Sequence, residues 1–411
     1  MYLLQPNLFS FEELLKFEPE TKLQKVLSVL DLSPALNVVK RAVLGPKGHC
    51  VGNMIRALVA KQLEQIPTVA ALVKRLSNDI RFRFQCGFSL SKPIPSESTF
   101  SRLIQKLAAT DETNKTESVM KQIFDNLVKS AKDMGLIDSN CVAIDSSKID
   151  AYEKSKPKKD LQGDKTANWG AKRDTHGNQI SWFGYKAHVA VDCHSELPIA
   201  IMVTPANTHD AKMAIPLIEL VNKALEDSKK PKYYTMDMGY DSKDIYSVVM
   251  NDFNAQAIIP INSRGSKDHP EGCDFDGTPI CSMGQRMVFW GSDAKAGTNK
   301  YRCPHVMGKC DCPYGSAWCS PSSYGLVVKT KVKDDPRMNC IPARGTKNWQ
   351  SLYNKRTSVE RCFGRLKQHL GANSIRTRGL EKVTLHITLS CIALLAGSIA
   401  VAKTKRIEQA A

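Results

Sequence analysis

The stretch from Asn140 to Ile261 alternates short β-rich runs with helical segments. Five runs have the β-branched and apolar composition of strands: CVAID, GYKAHVAVD, PIAIMVTPA, YYTMD and AQAIIPI. Helical spacing in DAKMAIPLIELVNKALED separates the third run from the fourth, and SKDIYSVVMND separates the fourth from the fifth. The predicted order is therefore β-β-β-α-β-α-β, which requires a mixed sheet with helices on its faces.

Two aspartates stand where predicted strands stop. Asp145 ends the first run and Asp237 ends the fourth. Ligands of open α/β sheets gather at the carboxyl ends of strands, so we expect both aspartates at one site. The order of elements is that of the RNase H-like fold, and the predicted fold class is α/β, an RNase H-like mixed β-sheet flanked by helices.

The sequence outside this stretch predicts three further parts. An all-α N-terminal domain is predicted over residues 1–135, and the α/β core begins over 136–261. A Cys-rich insertion over 262–342 has little periodicity, and residues 343–411 supply the C-terminal helices of the core. The N-terminal segment STFSRLIQKL would be capped by Ser96 or Ser98, leaving Arg102 and Lys106 outside.

With TVAALVKRL, this capped helix fits a helix-turn-helix that docks on DNA, or equally an amphipathic helix with a solvated basic face. The chain has 58 Lys and Arg against 41 Asp and Glu. The excess of 17 positive charges favours a polyanionic partner, most simply double-stranded DNA, although ribosomal and membrane-surface proteins are also basic. We expect no secretory signal and a cytoplasmic, nucleoid-associated protein, with metal-bound or buried cysteines rather than disulfides.

Residues Val383 to Ala402 carry no formal charge over the length of a membrane span. Polar side chains interrupt this run at Thr384, His386 and Ser390. The sequence has no second segment of this kind, and the rest of the chain is highly charged. We therefore interpret it as a buried core helix and expect no membrane association.

The stretch YNKRTSVERCFGRLK places one carboxylate among cations. On a single helix Tyr353, Arg356, Glu360 and Lys367 would fall at about 0°, −60°, −20° and −40°, on one stripe. Such a face suits a carboxylate that holds a metal between cations that grip phosphates. The simpler alternative is an ion pair between Glu360 and Arg356. The candidate DNA contacts here are Tyr353, Arg356, Arg361, Arg365 and Lys367.

The spacing of these four residues resembles the Tyr-Arg-Glu-Lys signature of bacterial DDE insertion-sequence transposases. AIDSSKIDA, VTPANTHDAKM, YYTMDMGYDS and PSESTFSRLIQKL are similar to other motifs of that family. The resemblance implies that Asp145, Asp237 and Glu360 are catalytic and bind Mg²⁺ or Mn²⁺. It also implies that Arg356 and Lys367 clamp phosphates and Tyr353 hydrogen-bonds the DNA backbone.

The implied function is a DNA transposase that cleaves the terminal inverted repeats of its element and joins them to target DNA. In-line attack on a phosphodiester uses two Mg²⁺ ions about 4 Å apart, and three carboxylates suit them. A homodimer is expected in the synaptic complex. The alternatives are a non-catalytic transposase-derived DNA-binding protein and another RNase H-like nuclease.

The insertion contains six cysteines that are candidate ligands of a structural zinc. These are Cys273, Cys281, Cys303, Cys310, Cys312 and Cys319. None of the pairs has the usual two-to-four-residue spacing, so scattered reduced cysteines remain the alternative. Family resemblance also suggests that Trp290 or Trp318 stacks on a displaced base, while Lys186 and His188 either approach DNA or are partly buried.

Overall fold

The computed structural model describes residues 9–38, 48–109, 118–155, 163–173, 177–225, 230–263, 271–315 and 317–410. A helical N-terminal part leads into a six-stranded mixed sheet, and a separate three-stranded sheet follows before the last helices. Most of the lysine-rich segment after the first strand, at 156–162, lies outside the described residues.

The N-terminal part is helical, as predicted. Its described helices are α1 Phe11–Phe17, α2 Lys22–Ser28, α3 Ser33–Val38, α4 Val51–Leu63, α5 Val69–Asn78, α6 Ile80–Gln85, α7 Glu97–Ala108 and α8 Val119–Asp133. Ser96 caps α7 by accepting a hydrogen bond from the Thr99 backbone N–H at 3.4 Å. Phe100 is fully buried, whereas Arg102 and Lys106 are exposed, so the predicted orientation of this helix is confirmed.

The helix-turn-helix prediction for α5 and α7 is wrong in its simple form, because α6 lies between them in the chain. Asp79 ends α5 and caps α6, where its carboxylate accepts a hydrogen bond from the Phe82 N–H at 2.9 Å. A two-helix motif has a connection of only about three or four residues. Helices α5 and α7 nevertheless pack against each other.

The large sheet has the predicted mixed architecture. Its strands are β1 Cys141–Asp150, β2 Asn168–Arg173, β3 Gln179–Asp192, β4 Pro198–Pro205, β5 Tyr233–Thr235 and β6 Gln256–Ile258, with α9 Ala211–Ala224 and α10 Lys243–Asn251 between strands. The central order is β4-β3-β1-β5-β6, with β2 also paired to β3. Strand β5 runs parallel to β1 and β6, and β3 runs antiparallel to β1 and β4. The RNase H-like α/β prediction is confirmed.

The prediction that strand β1 stops at Asp145 is wrong, because the strand continues to Asp150. Its pairing with β5 ends near Ala143, while its pairing with β3 extends to Gly184 opposite Asp150. The extension depends on a long-range partner, so the composition of β1 does not reveal it. Asp145 therefore lies within a strand, just beyond the parallel pairing.

The insertion forms an antiparallel sheet of β7 Val288–Asp293, β8 Thr298–Arg302 and β9 Val327–Lys331. A buried ion pair connects it to the core: Arg337 Nη2 donates to Asp241 Oδ2 at 2.6 Å. Asp241 is completely buried and also accepts a hydrogen bond from the Asn262 N–H at 2.9 Å. Asp241 thus has a structural role.

The chain ends in α11 Lys347–Asn354, α12 Thr357–His369 and α13 Leu380–Ala410. Of the described helices, α13 alone is long and apolar enough to cross a membrane, and 72% of its most apolar window is buried inside the protein. It packs against α4, α7, α8 and β4, with Val383, Cys391 and Leu395 fully buried. These contacts agree with a core helix.

Candidate active site

The register of β1 and β5 brings Asp145 and Asp237 together. Ala143 pairs with Thr235 in this parallel ladder, and each aspartate stands two residues further along its strand direction. Neighbouring strands lie about 4.8 Å apart, so the two side chains occupy one edge of the paired region. Asp237 leaves the strand and caps a short 3-10 turn, accepting a hydrogen bond from the Gly239 N–H at 2.8 Å.

Burial and mutual repulsion set the charge state of this pair. Burial, followed by the charge of Asp237, raises the pKa of Asp145 to about 7. Burial also raises the pKa of Asp237, and the charge of Asp210 adds to this rise. Both carboxyl groups are therefore difficult to ionise in the metal-free protein, and a bound cation would stabilise their charged forms.

Arg356 links two of the three predicted catalytic carboxylates. Its Nη1 donates to Asp145 Oδ2 at 3.1 Å, and its Nη2 donates to Glu360 Oε1 at 2.5 Å. The Glu360 side chain is 53% exposed, whereas those of Arg356 and Asp145 are about one-fifth exposed. The ion pair expected as the simpler alternative is present, and the same guanidinium holds Glu360 at the aspartate site.

The single-helix stripe predicted for Tyr353, Arg356, Glu360 and Lys367 is wrong. Helix α11 ends at Asn354 and α12 begins at Thr357. Between them the N–H groups of Arg356 and Ser358 bond to carbonyls three residues earlier, which tightens the turn. Tyr353 therefore belongs to another helix and stacks on Trp349, with 5.2 Å between ring centroids.

The remaining cations of α12 have partners within the protein. Lys367 Nζ donates to Ser147 Oγ at 2.7 Å and to the Lys148 carbonyl at 2.8 Å, so it fixes α12 against β1. Arg361 and Arg365 both form ion pairs with Glu196, in the connection between β3 and β4. The DNA contacts predicted for these three residues stay predictions.

Sequence reasoning missed Asp210, which precedes α9. Its Oδ1 accepts a hydrogen bond from Lys186 Nζ at 2.9 Å and lies 3.9 Å from His188 Nδ1. His188 is fully buried, as the more conservative interpretation held, and its Nε2 lies 2.8 Å from Thr204 Oγ1. The sequence signal for Asp210 was its place in the THDAK motif, at the turn between a predicted strand and a predicted helix.

Tyr240 is a buried residue near the acids of the site, with 1% of its surface exposed. Burial, followed by the charges of Asp145, Asp210 and Asp237, raises the pKa of its phenol well above the usual value. All three aspartates therefore act on the same buried side chain.

The predicted zinc site is not assembled. Over the described ranges, no three His, Cys, Asp or Glu side chains are grouped so as to hold a metal, and this includes the three carboxylates predicted to be catalytic as well as the cysteines. All 13 cysteines are free thiols. The scattered-cysteine alternative fits Cys273, Cys281, Cys303, Cys310, Cys312 and Cys319.

The two tryptophans of the insertion are both exposed. Trp290 lies under the guanidinium of Arg302, 4.4 Å from ring centroid to Cζ. Trp318 stacks on Tyr314 at 5.2 Å between centroids. Base stacking by either tryptophan stays a prediction.

An RNase H-like sheet with paired aspartates and a neighbouring arginine-bound glutamate defines a nucleic-acid-processing enzyme of the DDE class. Residues 137–396 match the family model described as Transposase DDE domain, and residues 11–106 match a second model, Transposase domain (DUF772). The chain belongs to the transposase DDE domain family and is a DNA transposase.

The chain is similar to the piggyBac transposase in the cryo-EM structure of its synaptic complex with hairpin DNA, with 12% sequence identity and a TM-score of 0.35, over 93% of this chain and 74% of that chain. Curated protein sequences include no significant match.

Proposed function

We propose that this transposase cleaves the ends of its own insertion sequence and joins them to target DNA. Water attacks a phosphodiester at the element's end, forming one P–O bond while another breaks and a 3′-hydroxyl leaves. That hydroxyl then attacks a target phosphodiester in a second exchange of the same kind. The observation that carries the proposal is that Asp145 and Asp237 lie next to each other, each two residues beyond the last β1–β5 pair, Ala143 and Thr235.

The chemistry of these side chains suits a divalent metal, because carboxylate oxygens are the ligands that Mg²⁺ and Mn²⁺ prefer. Asp145 and Asp237 are partly buried, and the charge of Asp237 raises the pKa of Asp145. We propose that these two aspartates and Glu360 hold the metal. A bound cation would activate the attacking oxygen and stabilise the leaving oxygen.

The cations around these acids would position DNA. Arg356 forms ion pairs with Asp145 and Glu360, and it would contact a phosphate next to the scissile bond. Lys367 holds α12 on β1 through Ser147 and thereby keeps Glu360 near Asp145. We further propose that two copies of the chain assemble on the paired element ends.

The test is Glu360→Gln in the full chain, assayed on a duplex carrying the element's terminal repeat. With Mg²⁺ or Mn²⁺ we expect wild-type protein to nick the repeat end, and the variant to lose cleavage by at least about a hundredfold while binding the duplex normally. Glu381→Gln, an exposed residue at the start of α13, is the matched control and should cleave normally.

Three results would contradict the proposal. Full cleavage by Glu360→Gln would remove Glu360 from the site. Binding without cleavage by the wild type, with either cation, would favour the non-catalytic DNA-binding alternative. Cleavage of RNA–DNA hybrids in preference to the repeat would favour the other nuclease class.

A further inference from the structure

A cavity of about 400 Å³ opens between the helical N-terminal part and the catalytic core. Helices α4, α5 and α7 form one wall, and the segment leading into α13 forms the other. The residues that bear on its chemistry are Lys61, Thr68, Ser101, Arg376, Thr377 and Lys382. A cavity of this size has room for a nucleotide unit.

The cavity is lined by cations without acids. Lys61, Arg376 and Lys382 contribute positive charge, and none of the lining residues is Asp or Glu. Among the described residues, no carboxylate forms an ion pair with any of the three. Arg376 instead lies over the ring of Tyr152, 5.7 Å from its centroid. The site therefore has an unbalanced positive charge.

Lys61 is the least solvated of these cations. Burial lowers its pKa to about 8. Its neighbour Gln62 is 2% exposed and is hydrogen-bonded to the ring and carbonyl of His386, at 3.2 and 3.3 Å. An ammonium taken out of water without a counter-charge destabilises the fold, and an anion in the cavity would offset that cost.

Helix α7 carries further cations outside the cavity. Ser101 and Ile104 of α7 line the cavity, whereas Arg102 and Lys106 are exposed to solvent on another face of the same helix. A polyanion long enough to pass around α7 would meet both sets of cations. A DNA strand is such a polyanion, with phosphates at regular intervals.

We propose that the cavity holds a phosphate group of a DNA strand that crosses from the helical part to the catalytic core. The inference rests on the proposed function, because it takes DNA as the substrate. The ligand chemistry is a phosphodiester, bound by the three cations and by hydroxyls of the cavity wall. The site is separate from the aspartate site and would fix the DNA relative to both parts of the chain.

The experiment measures binding of Lys61→Met to a fluorescent duplex in the Glu360→Gln background, without divalent cations. We expect Kd to rise about tenfold, as for loss of one charged contact, and the slope of log K against log salt to fall by about 1. Free of DNA, the variant should melt at a higher temperature, because an unpaired buried charge is gone. Lys129→Met, on the exposed face of α8, should change none of these quantities.

Unchanged Kd and salt slope in Lys61→Met would overturn the proposal. If that variant does not fold, Arg376→Gln and Lys382→Gln at the cavity give the same two readouts. Melting in inorganic phosphate at constant ionic strength tests whether the anion is free phosphate. The cavity would be a free-anion site and not a DNA site if phosphate raised the melting temperature of the wild type but not that of Lys61→Met, while both proteins bound DNA with the same Kd. These experiments measure binding and stability but not cleavage. A negative result here can therefore be distinguished from failure of the proposed reaction, which the cleavage assay of Glu360→Gln tests.

Discussion

Asp145 and Asp237 lie side by side because the parallel register of β1 and β5 places them at equivalent positions, each two residues beyond the Ala143–Thr235 pair. Backbone pairing alone thus brings together two acids from distant parts of the chain. Arg356 then connects Glu360 to Asp145, because its guanidinium donates hydrogen bonds to both carboxylates.

The first prediction concerns pH and stability without divalent cations. Since burial and Asp237 raise the pKa of Asp145 to about 7, the folded protein binds a proton that the unfolded chain releases near pH 4, its ordinary value being about 3.9. This contribution makes the free energy of unfolding fall as pH rises from about 4 to about 7. We expect Asp145→Asn to flatten that fall.

Urea unfolding at a series of pH values between those limits measures the effect. Asp138→Asn, at an exposed position before β1, should retain the wild-type dependence. Parallel curves for wild type and Asp145→Asn would show that the buried carboxyl does not titrate in this range.

The second prediction concerns competition between Arg356 and metal. In Arg356→Gln, Asp145 and Glu360 lose their shared counter-charge, so the metal-free protein should melt at a lower temperature than wild type. Mg²⁺ should then raise the melting temperature of the variant more than that of the wild type. Arg356→Lys keeps the positive charge but cannot donate to both carboxylates as the guanidinium does. Its melting temperature and its response to Mg²⁺ should therefore lie between those of Arg356→Gln and the wild type. Thermal melts over a Mg²⁺ titration decide this, and equal responses in all three proteins would contradict it.

The third prediction concerns the ion pair that joins the insertion to the core. Arg337→Met should destabilise the protein by about 3 kcal/mol, because it removes the counter-charge of the completely buried Asp241 carboxylate. Arg286→Met is the control, since Arg286 is 52% exposed and its pairs with Asp274 and Asp276 should contribute less than about 1 kcal/mol. Denaturant unfolding gives both values. Similar losses in the two variants would show that burial does not distinguish these pairs.

The fourth prediction concerns α13. Leu395 is fully buried, so Leu395→Ala should reduce the free energy of unfolding by about 3 kcal/mol through lost contacts and a cavity. Val401 is 51% exposed on the same helix, and Val401→Ala should cost less than about 0.5 kcal/mol. If the exposed substitution were the costlier one, the apolar helix would have its main contacts outside this chain.

Much of the architecture was predictable because its signals are local. Alternating apolar residues marked the strands of the core, and the capping serine before α7 marked a helix start, each within a few residues. The strands of the insertion are short and half-exposed, so they carry no such pattern. Strand β2 was missed for a similar reason, because its pairing with β3 and not its composition defines it.

The candidate site also has features that the sequence predicted and features that depend on the tertiary structure. Asp145 and Asp237 were predicted from the ends of two apolar runs, and Glu360 from the resemblance of its spacing to a family signature. The order of elements along the chain and the charge of the whole molecule follow from residue type and local periodicity. The register that brings the two aspartates together does not. The break before α12, the role of Arg356 as a bridge, the approach of Asp210 and the burial of Lys61 depend on which distant segments pack together. Such contacts form between residues far apart in sequence, and short-range patterns carry no information about them.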